Sequence, residues 1–121
     1  MGKKILIVDD EKDWIQMVSI RLGHEGYQAE AAFDTVQATA QAVQLKPDLI
    51  LLDIMMPAGG GLEALKNIRA NVKTFSIPVI VITARGDKET KEAAEGLGIS
   101  GYFVKTNTVG LMAKIKEVLG E

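Results

Sequence analysis

Four short runs of consecutive apolar residues set the architecture: Ile5-Leu6-Ile7-Val8, Leu49-Ile50-Leu51-Leu52, Val79-Ile80-Val81-Ile82 and Tyr102-Phe103-Val104. A strand with one face in water alternates apolar and polar residues, so a run without alternation implies burial on both faces. Such strands belong to parallel sheets covered by helices on each side. A weaker run, Tyr27 to Ala32, carries Gln28 and Glu30 in alternation and suits an edge strand. The intervals have helical periodicity. Trp14, Val18 and Leu22 recur at i, i+4 and i+8, with Gly23 as a stop signal. Val36, Ala40 and Val43 mark a second helix, capped by Asp34 or Thr35 and ended before Pro47. Leu62, Leu65, Ile68 and Val72 mark a third. A fourth, about residues 88–97, has only Ala93, Ala94 and Leu97 as an apolar face. Leu111, Ile115, Val118 and Leu119 mark a fifth, with Thr106 or Thr108 as N-cap. Strand and helix thus alternate five times, the pattern of an α/β fold with one parallel sheet between two helical layers.

The polar residues that end these runs carry the chemistry. Asp9 and Asp10, Asp53, Thr83 and Lys105 each follow the last apolar residue of a separate predicted strand. Ligands of open α/β sheets bind beyond the carboxyl ends of the strands, so these side chains are expected at one rim. Three close carboxylates repel one another and call for a cation, and an all-oxygen set suits a hard one such as Mg²⁺. Lys105 adds positive charge and Thr83 a hydroxyl donor. Together these are parts for handling a phosphoryl group, and a carboxylate can itself be the nucleophile.

Composition narrows the alternatives. With no cysteine, the chain has no disulfide, thiolate metal site or Cys nucleophile. A net charge of −2 without long like-charge runs lacks the basic footprint of a nucleic-acid binder. No apolar run approaches the roughly 18 residues of a membrane helix, and the expected location is the cytoplasm. Met1-Gly2 opens a myristoylation motif, but Leu6 stands where Ser or Thr is needed.

In sequence order, Ile7-Val8-Asp9-Asp10, Asp53-Ile54-Met55-Met56-Pro57 with Gly61 four residues on, Thr83-Ala84, and Gly98 through Tyr102 to Lys105 together resemble the receiver domain of two-component response regulators, including the single-domain chemotaxis type. The resemblance spans nearly all of residues 3–120 and implies a flavodoxin-like three-layer (βα)5 fold with strand order 2-1-3-4-5. Residues 1–121 then read as one receiver domain, a signalling module and not an enzyme, with at most slow self-phosphorylation and self-dephosphorylation. The resemblance implies that Asp53 accepts a phosphoryl group from a histidine kinase or histidine phosphotransfer protein. Asp10, Asp53 and the Met55 backbone carbonyl would bind Mg²⁺, or Mn²⁺ in its place, while Asp9 acts through a bound water. Lys105 would pair with Asp53 and then with the phosphate, and Thr83, followed by the small Ala84, would move towards the phosphoryl oxygen. Tyr102 would rotate inward and remodel the surface of the fourth helix, fifth strand and fifth helix for an effector. No nucleic-acid contact or membrane insertion is implied.

The chain also departs from the family pattern. Thr106 stands where proline commonly follows the lysine, and a cis peptide there would cost roughly 3 kcal/mol, so a trans bond is expected. The run Gly59-Gly60-Gly61 is expected to loosen the start of the third helix. Met55, two residues past Asp53, is placed to shield an acyl phosphate from water, and Trp14 to sense the metal site. Lone His24 has no metal-ligand spacing. A haloacid-dehalogenase-type phosphatase would place its two aspartates two residues apart after the first strand, whereas Asp9 and Asp10 are adjacent. A flavodoxin-like FMN carrier would need a Ser/Thr/Gly-rich loop where this chain has Asp9-Asp10-Glu11. A degenerate receiver would lack part of the acidic pair, acceptor, hydroxyl and lysine set that is complete here.

Overall fold

The computed structural model describes residues 2–56, 60–84 and 86–121; Pro57 and Gly59 of the expected acceptor segment lie outside them. The strands are β1 (Lys4–Val8), β2 (Gln28–Ala32), β3 (Leu49–Leu52), β4 (Val79–Thr83) and β5 (Gly101–Val104). The helices are α1 (Lys12–His24), α2 (Thr35–Leu45), α3 (Gly60–Ala70), α4 (Lys88–Leu97) and α5 (Leu111–Val118). All strand pairs are parallel, in the order β2-β1-β3-β4-β5. This is the flavodoxin-like order that the family resemblance implied, with β2 and β5 at the edges.

The unbroken apolar runs are explained by the period of two along a strand. Ile5, Ile7, Leu49, Leu51, Ile80 and Ile82 face one layer, where they meet Ile15, Val18 and Leu22 of α1 and Leu111 and Ile115 of α5. Leu6, Val8, Ile50, Leu52, Val79 and Val81 face the other, against Ala38, Ala42, Ala64, Leu65, Ile68 and Ala94 of α2, α3 and α4. Each run therefore supplies two cores at once.

Several helix details differ from the sequence reading. α1 runs through Gly23, and the chain turns at Gly26, whose φ is +89°. Gly26 N–H donates to Gly23 O and Tyr27 N–H to Leu22 O, each at 3.0 Å, the bonds of a glycine-terminated helix end. On α2 the buried residues are Ala38 and Ala42, while Val36 is 78% exposed. Alanines occupy the inner face because α2 lies close to both β2 and α3, and a first-turn valine points past the core. Asp34 is the N-cap, its side chain accepting from Gln37 N–H at 2.8 Å. Val72 lies beyond the end of α3 and is exposed, so it is not part of that helix's apolar face. α4 buries only Ala94. Gly110, at φ +86°, is the N-cap of α5, and Thr106 and Thr108 are not; Thr108 contributes its carbonyl to Leu111 N–H instead. There is no cis peptide among the described residues.

The glycines that open α3 have a steric purpose. A Cβ on Gly61 would lie 2.3 Å from the Asp53 carbonyl oxygen and 2.4 Å from the Ile54 Cα, both backbone atoms. Close approach of α3 to the end of β3 therefore requires glycine at 61. At Gly60 the clash is with a side-chain atom, the Thr35 hydroxyl oxygen at 2.7 Å, which can give way by loosening its hydrogen bond to the Gly60 carbonyl. Gly61→Ala is expected to cost about 2 kcal/mol in chemical denaturation, and Gly60→Ala less than about 1. Equal costs for the two variants would refute the distinction.

Candidate functional site

The rim is built by main-chain bonds that continue the ladder one step past each strand. Asp9 N–H donates to Ala32 O at 3.0 Å, Asp53 N–H to Val8 O at 2.8 Å, and Lys105 N–H to Thr83 O at 2.7 Å. The residues after β1, β3 and β5 are thus fixed as firmly as strand residues. Asp9, Asp53 and Lys105 continue the parity of Ile7, Leu51 and Phe103, which pack towards α1 and α5. Thr83 continues the parity of Val81, on the α3–α4 side, where Tyr102 also packs. The sheet therefore separates a charged trio on one side from a hydroxyl and an aromatic ring on the other.

Asp9 and Asp53 are buried, at 1% and 4% exposure, and Asp10 is exposed. One oxygen from each of the three lies within 4.8 Å of the others. The two buried carboxylates are held alike. Asp9 Oδ1 accepts from Glu11 N–H at 2.8 Å, and Asp53 Oδ1 accepts from Met55 N–H at 2.9 Å. Each is an aspartate bonding its own backbone two residues on, which fixes the carboxylate plane. The other oxygens face Lys105, whose Nζ lies 2.8 Å from Asp9 Oδ2 and 3.6 Å from Asp53 Oδ2. The second distance is an ion pair beyond hydrogen-bond range, so Asp53 Oδ2 is the less engaged oxygen.

Burial pushes the Asp9 carboxyl up from 3.8 to about 6, against the opposing hydrogen bonds from Lys105 and the Glu11 N–H. The neighbouring Asp53 charge adds to the rise. Burial disfavours the charge on Lys105, but bonds to Asp9 and Glu11 and the field of Asp53 outweigh it and raise its pKa. A single lysine thus faces a surplus of carboxylate charge. The all-oxygen donor set, two members of it buried, fits a hard divalent cation.

The structure brings together Asp9, Asp10, Asp53 and Lys105 as expected from the sequence. Met55 lies in the turn beyond Asp53, its side chain 40% exposed. Thr83 is fully buried at the end of β4, and Ala84 beyond it is exposed. Tyr102 is already turned inward: its hydroxyl is buried without a hydrogen-bond partner among the described residues. The ring packs so closely on the β4–α4 loop that a Cβ on Gly86 would meet the hydroxyl at 2.7 Å. Burial, then the charges of Asp87 and Glu95, raise its pKa, and Lys91 Nζ lies 5.4 Å from the ring centroid. Sequence reasoning missed Glu11, whose Oε1 lies 2.5 Å from Lys105 Nζ. The third acid of Asp9-Asp10-Glu11 was the available signal. It also missed that Lys105 sits over Trp14, 5.2 Å from the ring centroid.

The raised Asp9 pKa has a sign that can be tested. Folding favours the proton on Asp9, so this group adds stability that is full below about pH 4 and is lost as pH rises through about 6. In metal-free buffer, the difference in Tm between Asp9→Asn and wild type should grow in favour of the variant across that window. A constant difference would contradict the buried-carboxylate account.

The family described as "Response regulator receiver domain" matches residues 5–116. Among curated relatives, the phosphate regulon transcriptional regulatory protein PhoB of Pseudomonas aeruginosa is 39% identical over 120 residues, 98% of this chain and 52% of that protein. PhoB of Escherichia coli is 37% identical over the same shares, so the chain spans about half the length of these relatives. Among solved structures, chemotaxis protein CheY4 of Vibrio cholerae is 32% identical with a TM-score of 0.88, covering 98% of this chain and 99% of that one. The receiver domain of sensor histidine kinase PA1611 from P. aeruginosa, solved with a magnesium ion coordinated in its active-site cleft, is 26% identical with a TM-score of 0.88, covering both chains fully (100% of each). An acidic cluster facing a lysine at the carboxyl ends of a 2-1-3-4-5 sheet, with this match along the chain, establishes that the protein belongs to the response regulator receiver domain family of two-component systems.

Proposed function

We propose that Asp53 is the phosphoacceptor of this receiver, taking a phosphoryl group from a phosphohistidine on a histidine kinase or histidine phosphotransfer protein. The observation that carries the reading is the asymmetry of its carboxylate: Oδ1 is tied to Met55 N–H, while Oδ2 faces the Lys105 amine at the longer distance of 3.6 Å. In the transfer, Asp53 Oδ2 attacks phosphorus as the phosphorus–nitrogen bond breaks. The electron pair leaves with the imidazole, and an acyl phosphate forms on Asp53. Mg²⁺, or Mn²⁺, held by Asp10, Asp53 and the Met55 carbonyl, with Asp9 acting through water, would supply charge neutralisation for the phosphoryl oxygens. Lys105 then moves from its ion pair with Asp53 to a phosphoryl oxygen, and the Thr83 hydroxyl donates to another.

The readout is a shift of population, because the phosphoryl group makes contacts that one arrangement of Thr83 and Lys105 satisfies better. Thr83 and Tyr102 share the sheet face towards α4, so movement of one changes the space of the other. The α4-β5-α5 surface is the output, and α4, which buries only Ala94, is the weakly anchored element it uses. We read residues 1–121 as one cytoplasmic domain acting as a signalling module through protein contacts, without touching nucleic acid directly.

Incubation with acetyl phosphate and Mg²⁺ should add one phosphoryl mass to the wild type and none to Asp53→Ala. A gain that persists in Asp53→Ala would sink the assignment. If Met55 shields the acyl phosphate, Met55→Asn should shorten its half-life about threefold to tenfold, a barrier change of up to about 1.4 kcal/mol. An unchanged half-life, followed by the same mass measurement, would remove Met55 from the account.

A further inference from the structure

The Lys105 amine is not aimed at the acceptor. Its shortest contact is Glu11 Oε1 at 2.5 Å, then Asp9 Oδ2 at 2.8 Å, with Asp53 Oδ2 at 3.6 Å. The Trp14 ring lies on the same side, 5.2 Å from Nζ to its centroid. Glu11 and Trp14 flank the start of α1, Glu11 as its N-cap residue, so both hold the amine towards α1 and away from the end of β3. An ammonium has three protons to donate. Asp9 and Glu11 take two of them at short range, and a phosphoryl oxygen on Asp53 would have to win the amine over.

We propose that Glu11 is a positioning residue that retains Lys105 in the unphosphorylated state and thereby sets how readily the site takes up a phosphoryl group. The proposal rests on Asp53 being the acceptor and adds a competitor for its lysine. Asp9 cannot play this part alone, because its carboxylate belongs to the site in both states. Glu11 makes no side-chain capping bond, and its side chain is 60% exposed. Its hold on Lys105 is therefore open to salt, and its removal leaves the fold of α1 without a lost cap. Trp14 makes the hold directional: the amine rests over the ring when Glu11 has it and leaves the ring when it crosses to Asp53.

The test is equilibrium binding of beryllofluoride, a phosphoryl mimic, at saturating Mg²⁺, followed by fluorine NMR in wild type, Glu11→Gln and Glu11→Asp. At low salt Glu11→Gln should bind about twofold to fivefold tighter than wild type, the range expected for loss of one partly exposed ion pair. The gap should close towards about 0.5 M salt, where screening has already loosened the wild-type pair. Glu11→Asp keeps the charge but is one methylene shorter, and should behave like Glu11→Gln. Equal or weaker binding by Glu11→Gln at low salt would overturn the proposal. So would Glu11→Asp matching wild type, which would mean that charge alone acts and not the held contact. No binding by the wild type itself would instead refute the acceptor reading, and this proposal with it.

Discussion

The structure depends on three backbone hydrogen bonds that carry the sheet ladder one residue past its strands. Asp53 N–H to Val8 O, Asp9 N–H to Ala32 O and Lys105 N–H to Thr83 O place charged side chains where the apolar runs stop. A loop aspartate would hold its carboxylate poorly, because loops shift and their polar groups are solvated. Here the carboxylates inherit the rigidity of a sheet that is buried on both faces. Gly61 completes the arrangement, since its lack of a side chain lets α3 sit against the Asp53 carbonyl.

Burying two carboxylates beside one lysine costs free energy that the fold must supply elsewhere. The raised Asp9 pKa is the visible part of that cost. The two apolar layers supply the compensating stability, and the site stays in charge imbalance. Imbalance is useful in a receiver: it favours a divalent cation and leaves Lys105 with several competing partners. Lys105 is held between Asp9, Glu11 and Trp14, with Asp53 farther off.

The parity of the strands organises the site as well as the core. Asp9, Asp53 and Lys105 lie towards α1 and α5, whereas Thr83 and Tyr102 lie towards α3 and α4. Asp53 and α4 lie on opposite sides of the sheet, and Thr83 stands at the end of β4 on the α4 side. The Tyr102 hydroxyl is buried without a partner among the described residues, on the same face as Thr83.

The fold class, the approximate strand ends and the charged residues of the rim were legible in the order of residues alone. Unbroken apolar runs can be satisfied only between two layers, and polar residues at their ends have one rim to occupy. The helix faces were less legible. Val36 fits the helical period yet is exposed, because period alone does not say which side of a helix the sheet will cover, and Val72 is exposed because α3 ends before it. The α1 stop at Gly26 and the α5 cap at Gly110 were hidden for a related reason, since positive φ is a property of the folded turn and not of the glycine alone. Only the tertiary structure decided where Lys105 points. Asp9, Glu11 and Trp14 lie in one short segment, but Asp53 and Lys105 reach them from far along the chain, and a choice among partners at 2.5, 2.8 and 3.6 Å is settled by distances that no one-dimensional pattern contains.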